Sequence, residues 1–229
     1  MQNNKTDFFF KALSEYISNA DAVGEKMIRF CDLIIKSNKL HNLTSITQID
    51  DMLKKHILDS FSINRFIKGK SVLDIGSGAG LPGMPLAIAN PEQKYLLLDS
   101  NNKKIIFLNH VKINLDVTNV SLLHSRIEDL SSKDGFDTII CRSYSSLSTI
   151  YLNSEKHLRK EGVIIAMKGK FPIRELSELK GVDKTIDYEV KNLKVPGLKA
   201  ERHAVITVSY THLRAHETVL DLVCRLLLE

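Results

Sequence analysis

"SVLDIGSGAGLPGMPLAI", residues 71–88, decides the fold. It opens as a short apolar run, breaks into glycine at 76, 78, 80 and 83, and resumes with helical spacing. Four glycines in eight residues are more than a strand-to-helix turn needs. Glycine there lets the main chain turn with positive φ and lie close against a ligand. Downstream, "KYLLLDS" (94–100), "VSLLHS" (120–125), "FDTIICRS" (136–143) and "GVIIAMKG" (162–169) read as further strands. "KKIIFLNHVKINL" (103–115), with Ile105, Leu108, Val111 and Leu115 on one face, and "SLSTIYLNSEKHL" (146–158) read as helices between them. Short apolar strands alternating with helices predict an α/β fold, a doubly wound and mostly parallel sheet covered on both faces. The glycines then stand at the carboxyl end of the first strand, where such sheets bind ligands.

Upstream of residue 68 the rhythm is helical. Phe9, Leu13 and Tyr16, then Met27, Phe30 and Ile34, then Leu53, Ile57 and Phe61 recur three or four apart and predict three short helices. "KLHNLTSIT" (39–47) interrupts them with turn-forming and capping residues. The expected organisation is an N-terminal helical segment, 1–67, followed by an α/β domain, 68–207. His41 and His56 read as structural, capping or bridging the helices, and Asn42 as a residue within reach of a substrate.

The remaining composition narrows the choice of ligand. With 229 residues, 43% hydrophobic and 26% charged, the chain suits one substantial core. No run approaches the roughly 18 to 20 apolar residues of a membrane span, and "MQNNKTDFFF" lacks the features of a secretory signal, so a cytoplasmic location is expected. Cys31, Cys141 and Cys224 are odd in number and widely spaced, which predicts neither a disulfide framework nor a metal site. The net charge of +5 permits a polyanionic partner without requiring one.

Residues 78–83 fit GxGxxG, the dinucleotide pattern, yet two features oppose a pyrophosphate. Asp74 precedes the loop and would repel phosphate, and Pro82 removes an amide donor. A carboxylate at 74 instead suits a ligand with an ammonium group. S-adenosyl-L-methionine carries one, together with a ribose diol and an adenine. Asp99, ending the second strand, suits the ribose hydroxyls, and Glu128 beside Ile127 after the third strand suits the adenine amino group and ring.

"HNLTS", "HILDS", "DIGSGAGLPGMPLAI", "LLDSNNKK", "SRIEDL", "CRSYSSL", "MKGK" and "ERHAVI" follow each other over about residues 7 to 207. In order and spacing they resemble the bacterial 16S ribosomal RNA guanine-N7 methyltransferases, the glucose-inhibited division protein B family. The resemblance implies the class I S-adenosylmethionine-dependent methyltransferase fold and methyl transfer to N7 of one guanine in 16S ribosomal RNA, free or in the small ribosomal subunit. It places cofactor contacts on Gly76, Leu81, Ile127, Glu128 and Arg142, to which the loop and strand-end reading adds Gly78 and Asp99. Arg142 suits either the methionine carboxylate or the target base. No catalytic acid or base is assigned, because guanine N7 carries a lone pair and no proton.

Lys168 and Arg202, with Lys170, Arg174 and Lys199, are candidates for RNA contact, each equally compatible with a solvated face. A monomer is expected. Three other readings stay open: the same fold acting on another RNA or base, with Cys141 as a 5-methylcytosine nucleophile; a NAD-binding oxidoreductase; and a ribosome-binding module without catalysis. After "ERHAVIT" the pattern of the family ends, and residues 208–229 read as a non-native tail.

Overall fold

The computed structural model describes residues 2–132 and 134–208. Helices α1 (Gln2–Leu13) and α2 (Ala20–His41) come first. A continuous helical stretch follows, built from α3 (Ile49–Met52), a π-helical segment (Leu53–Leu58) and α4 (Asp59–Phe61). The α/β part then runs β1 (Ser71–Ile75), α5 (Gly83–Ala89), β2 (Lys94–Asp99), α6 (Asn102–Asn114), β3 (Val120–His124), β4 (Phe136–Arg142), α7 (Leu147–Ser154), β5 (Leu158–Lys168), α8 (Ile173–Val182), β6 (Asp187–Asn192) and β7 (His203–Val208).

The seven strands lie in the order β3-β2-β1-β4-β5-β7-β6. Pairs from β3 through β5 are parallel, whereas β7 is antiparallel to both β5 and β6. The chain winds outward from β1 to β3, returns to β4 beside β1, and winds the other way, so the switch in strand order falls between β1 and β4. The doubly wound, mostly parallel sheet expected from the sequence is the one observed.

Alternation along the strands divides the interior in two. Val72, Ile140, Val163 and Ile165 share an apolar cluster with Phe9, Met27, Phe30, Ile34, Ile57 and Phe61 of the N-terminal helices and with Phe107, Leu108 and Val111 of α6. Leu73, Ile75, Ile139, Cys141 and Ile164 share the other with Leu147 and Ile150 of α7 and Leu176 and Leu179 of α8. The N-terminal helices thus cover one face of the sheet.

Three details differ from the sequence expectation. The second helix is long, 22 residues, because its buried stripe begins at Ala20 and Val23. It ends at Asn42, which takes a left-handed conformation (φ 47°), while the Asn38 side chain accepts from the amides of Leu43 and Thr44. The third helix is π-helical in its middle. Strand β6, which carries only half-buried apolar residues at Tyr188 and Val190, and strand β7 are both additions to the five strands expected. Of the expected tail, Val208 pairs with Val163 in the sheet and residues 209–229 lie outside the described residues. No helix among the described residues is long and apolar enough to cross a membrane.

Candidate active site

A cavity of about 500 Å³ opens at the carboxyl ends of β1, β4 and β5, at the switch in strand order. Its floor is the glycine loop, with Gly76, Ser77, Gly78, Ala79 and Leu81. Arg142 and Ser143 at the end of β4, Met167 to Gly169 at the end of β5, and Arg202 before β7 form one wall. Leu43, Thr44 and Ile46 of the loop after α2, with Lys55, His56 and Asp59 of the helical stretch that follows, form the other.

The loop is tied from both sides. The amides of Gly76 and Ser77 donate to the Leu98 carbonyl at 2.8 and 3.1 Å, anchoring the turn to β2. Gly76 has φ +66°, and a methyl there would fall 2.7 Å from the Tyr144 ring. At Gly83 a methyl would fall 2.4 Å from Oδ2 of Asp74, which accepts the Gly83 amide at 2.8 Å. Asp74 is therefore not presented to a ligand's ammonium group. It is fully buried, holds the first turn of α5 from beneath, and has no partner for Oδ1 among the described residues. Burial raises its carboxyl to about 7, against the opposing pull of the Gly83 amide.

Asp99 also turns inward. Oδ2 accepts from the Gly78 amide and Oδ1 from the Asn101 amide, each at 2.8 Å, with the Lys104 ammonium 3.8 Å from Oδ2. Asp99, Ile127 and Glu128 do not line the cavity. The Ile127 side chain is buried in the same apolar cluster as Leu98 and Ile150, so the side-chain packing against a ring expected of it is directed into the core instead. Glu128 is exposed on the short turn Ile127–Asp129 and accepts from Asn153 Nδ2 at 2.8 Å. Gly76, Gly78, Leu81, Arg142, Lys168 and Arg202 all line the cavity.

The charged wall is organised by a residue that the sequence reading left unassigned. Asp59, 2% exposed, accepts from Arg202 Nε at 2.9 Å through Oδ1 and from an Arg142 terminal nitrogen at 3.3 Å through Oδ2. The Arg142 nitrogen also reaches the Lys55 carbonyl at 3.4 Å. Burial pushes the Asp59 carboxyl up and the two guanidinium groups oppose it. Two permanent cations on one carboxylate leave this wall net positive. The π-helical turn that precedes Asp59 also carries His56, whose Nε2 lies 2.8 Å from the Thr44 hydroxyl and whose Nδ1 lies 3.1 Å from the Lys55 carbonyl. A carbonyl only accepts, so Nδ1 carries the proton and Nε2 receives the Thr44 hydrogen bond. Burial, reinforced by Arg142, lowers the His56 pKa to about 4, which keeps it neutral.

Lys168 is engaged in the same fashion. Its ammonium contacts Glu175 at 2.7 Å and the Ser145 carbonyl at 2.8 Å, while Glu175 also accepts from the Leu147 amide. Of the five candidates for RNA contact, Lys168 and Arg202 are thus paired with carboxylates, Arg202 sharing its own with Arg142, whereas Lys170, Arg174 and Lys199 make no ion pair with a described residue. Asn42 is exposed beyond the end of α2 and does not line the cavity. Tyr144, which rests on Gly76, and Ser143, with φ +54°, lie in "CRSYSSL" but were not singled out from the sequence. Among the described residues no group of three or more His, Cys, Asp or Glu is placed to hold a metal ion.

Solved structures of methyltransferases share this fold. The chain is similar to a methyltransferase from Pyrococcus furiosus (TM-score 0.55, 15% identity, covering 80% of this chain and 98% of that one). It is also similar to tRNA (m1A58) methyltransferase TrmI from Aquifex aeolicus (TM-score 0.53, 14% identity, 66% and 68%). In sequence it is 42% identical over 186 residues to ribosomal RNA small subunit methyltransferase G of Legionella pneumophila (strain Corby), covering 81% of this chain and 87% of that protein. The protein of the same name from Methylococcus capsulatus is 40% identical over 194 residues, covering 84% and 93%. The profile of the GidB family, described as rRNA small subunit methyltransferase G, matches residues 24–206, which take in the N-terminal wall, the glycine loop and both site arginines, and the chain belongs to that family.

Proposed function

We propose that this protein transfers the methyl group of S-adenosyl-L-methionine to N7 of a guanine in 16S ribosomal RNA, as a monomer in the cytoplasm, on the free RNA or the small ribosomal subunit. The observation that carries this reading is the cavity at the strand switch, bare main chain on its floor and net positive on one wall, in a chain of this family. Its volume is in the range of small-molecule sites. The residues that line the cavity suit the methionine end of the cofactor, and those beside it would take the rest. Gly76, Gly78 and Leu81 would carry its methionine end, and Asp99, which spends one lone pair on each amide, has others for ribose hydroxyls. Glu128 and the main chain of Ile127 would meet the adenine, and Arg142 the methionine carboxylate or the target base.

S-adenosyl-L-methionine supplies an electrophilic methyl group on a sulfonium. Guanine N7 brings a lone pair and no proton, so no side chain of this protein has to take or give one. The task of the chain is alignment, worth up to roughly 7 to 11 kcal/mol of barrier in favourable cases. Arg142 and Arg202, fixed on Asp59, form a wall that cannot swing freely, which suits that task.

Two alternatives fit less well. A pyrophosphate would need the amides at the start of α5, but Pro82 has none and Gly83 gives its own to Asp74. A cysteine nucleophile would need a thiolate, whereas Cys141 is buried within β4 and burial pushes its thiol up to about 12. Calorimetric titration with S-adenosylhomocysteine and with NAD tests the reading. Saturable heat with the first and none with the second is expected; binding of NAD alone would overturn it.

A further inference from the structure

Beyond Gly169, which lines the cavity, the chain carries Lys170, Phe171, Ile173 and Arg174 outward on the rim. Phe171 is 49% exposed and Ile173 71%, although both are large and apolar. The Phe171 ring is braced rather than buried. It stands nearly perpendicular to the His203 ring, at 84° with centroids 5.4 Å apart, and His203 is itself anchored by its Nδ1 to the Gly169 carbonyl at 2.8 Å. The base of the segment is equally stiff, because Glu175 in the first turn of α8 holds both the Leu147 amide and Lys168. An aromatic face is thus held open to solvent beside the cavity and flanked by two cations, Lys170 and Arg174, that make no ion pair with a described residue.

From this geometry we propose that Phe171 is a stacking platform for an unpaired RNA base next to the target nucleotide, with Lys170 and Arg174 on the adjoining phosphates. The proposal rests on the RNA substrate proposed above and names how it is held. Every base has a π face that an aromatic ring accepts, and the sugar-phosphate chain alongside requires positive charge. A duplex keeps its base faces stacked inside, so the ring favours a single strand.

The sequence contains no tryptophan, so Phe171→Trp introduces the only indole in the protein. Titrated with a single-stranded, guanine-containing RNA oligonucleotide, this variant should show saturable quenching of its emission, and less with the same sequence as a duplex. Free Phe171→Trp should emit at the wavelength of a solvated indole. Phe171→Ala should weaken binding of protein-free 16S ribosomal RNA by roughly 5- to 100-fold, the range that corresponds to losing one stacked base. Phe171→Tyr should restore it, and affinity for S-adenosylhomocysteine should be unchanged in all three. Emission that is blue-shifted before RNA is added, quenching equal for duplex and single strand, or Phe171→Ala within twofold of the parent would each overturn the proposal. Failure of the parent protein to methylate 16S ribosomal RNA while the indole is still quenched would overturn the proposed function instead.

Discussion

Asp59 holds two arginines that come from sites 83 and 143 residues away, and the cavity wall depends on that single carboxylate. Asp59→Ala should therefore leave both cations without a carboxylate, held only by the carbonyls of Lys55 and Glu201. Breaking a buried pair costs roughly 3 to 5 kcal/mol, and the lower end applies because both guanidinium groups keep some solvent contact. Urea unfolding measures that loss, and methyl transfer should fall further than stability alone accounts for. Nothing in "HILDS" announces this role: the spacing of Ile57 and Phe61 marks a helix, while partners so remote in sequence leave no local pattern. Asp74 was legible as a special acid from its position before the loop, but its contact was not, since the chain folds back to bring the Gly83 amide onto it. Its pKa is raised to about 7 from 3.8. A carboxyl raised on folding contributes stability that is fully present below about pH 3.8 and is lost as pH rises through 7. Asp74→Asn keeps an oxygen for the Gly83 amide and removes the titration. The stability of the parent relative to this variant should therefore decline between pH 4 and 7, as followed by urea unfolding at several pH values; a flat difference would show that Asp74 does not titrate there.

At the scale of elements, the glycine loop sets the floor of the site, and two of its glycines separate packing from ligand contact. Gly83→Ala would drive a methyl into Asp74 and should cost roughly 1 to 3 kcal/mol, the usual range for overpacking. Gly78 has φ +59°, but a methyl there meets no atom nearer than 3.8 Å. Gly78→Ala should cost only about 1 to 2 kcal/mol for its backbone conformation, yet weaken S-adenosylhomocysteine binding, because the methyl stands in the cavity. Thermal unfolding and calorimetry on the two variants check the contrast. Strands β1, β2, β4 and β5 were legible because burial on both faces leaves apolar runs, and edge strand β3 because Val120, Leu122 and Leu123 still form a short one. Strand β6 was not, because at the sheet edge only Tyr188 and Val190 interrupt charged and polar residues. The π-helical turn at Leu53–Leu58 was invisible for a different reason: apolar residues four apart fit an α-helix equally well, and only the tertiary contacts of His56 and Asp59 distinguish the two.

On the scale of the molecule, the N-terminal helices and the sheet share one apolar cluster and jointly enclose the cavity, so the site is assembled from both ends of the family match. Charge follows the same plan. Lys168 and Arg202 are paired with carboxylates within the wall, and Lys170, Arg174 and Lys199 are the cations proposed to meet phosphate. Replacing those three by Ala should lower the slope of log affinity against log salt by about 0.7 for each lost contact with single-stranded RNA, while S-adenosylhomocysteine affinity holds. RNA binding at several salt concentrations measures it. The broad fold and the loop were legible because winding and glycine spacing are written locally, whereas the division of cations into structural and free ones depends on which acids the fold brings beside them. The central claim is tested most directly by incubating the protein with S-adenosyl-L-methionine and 16S ribosomal RNA or small subunits that lack N7-methylguanine, then cleaving the RNA by borohydride reduction and aniline. The account predicts one new scission, at a single guanine, that requires both protein and cofactor; methyl incorporation without scission, or no incorporation into either substrate, would contradict it.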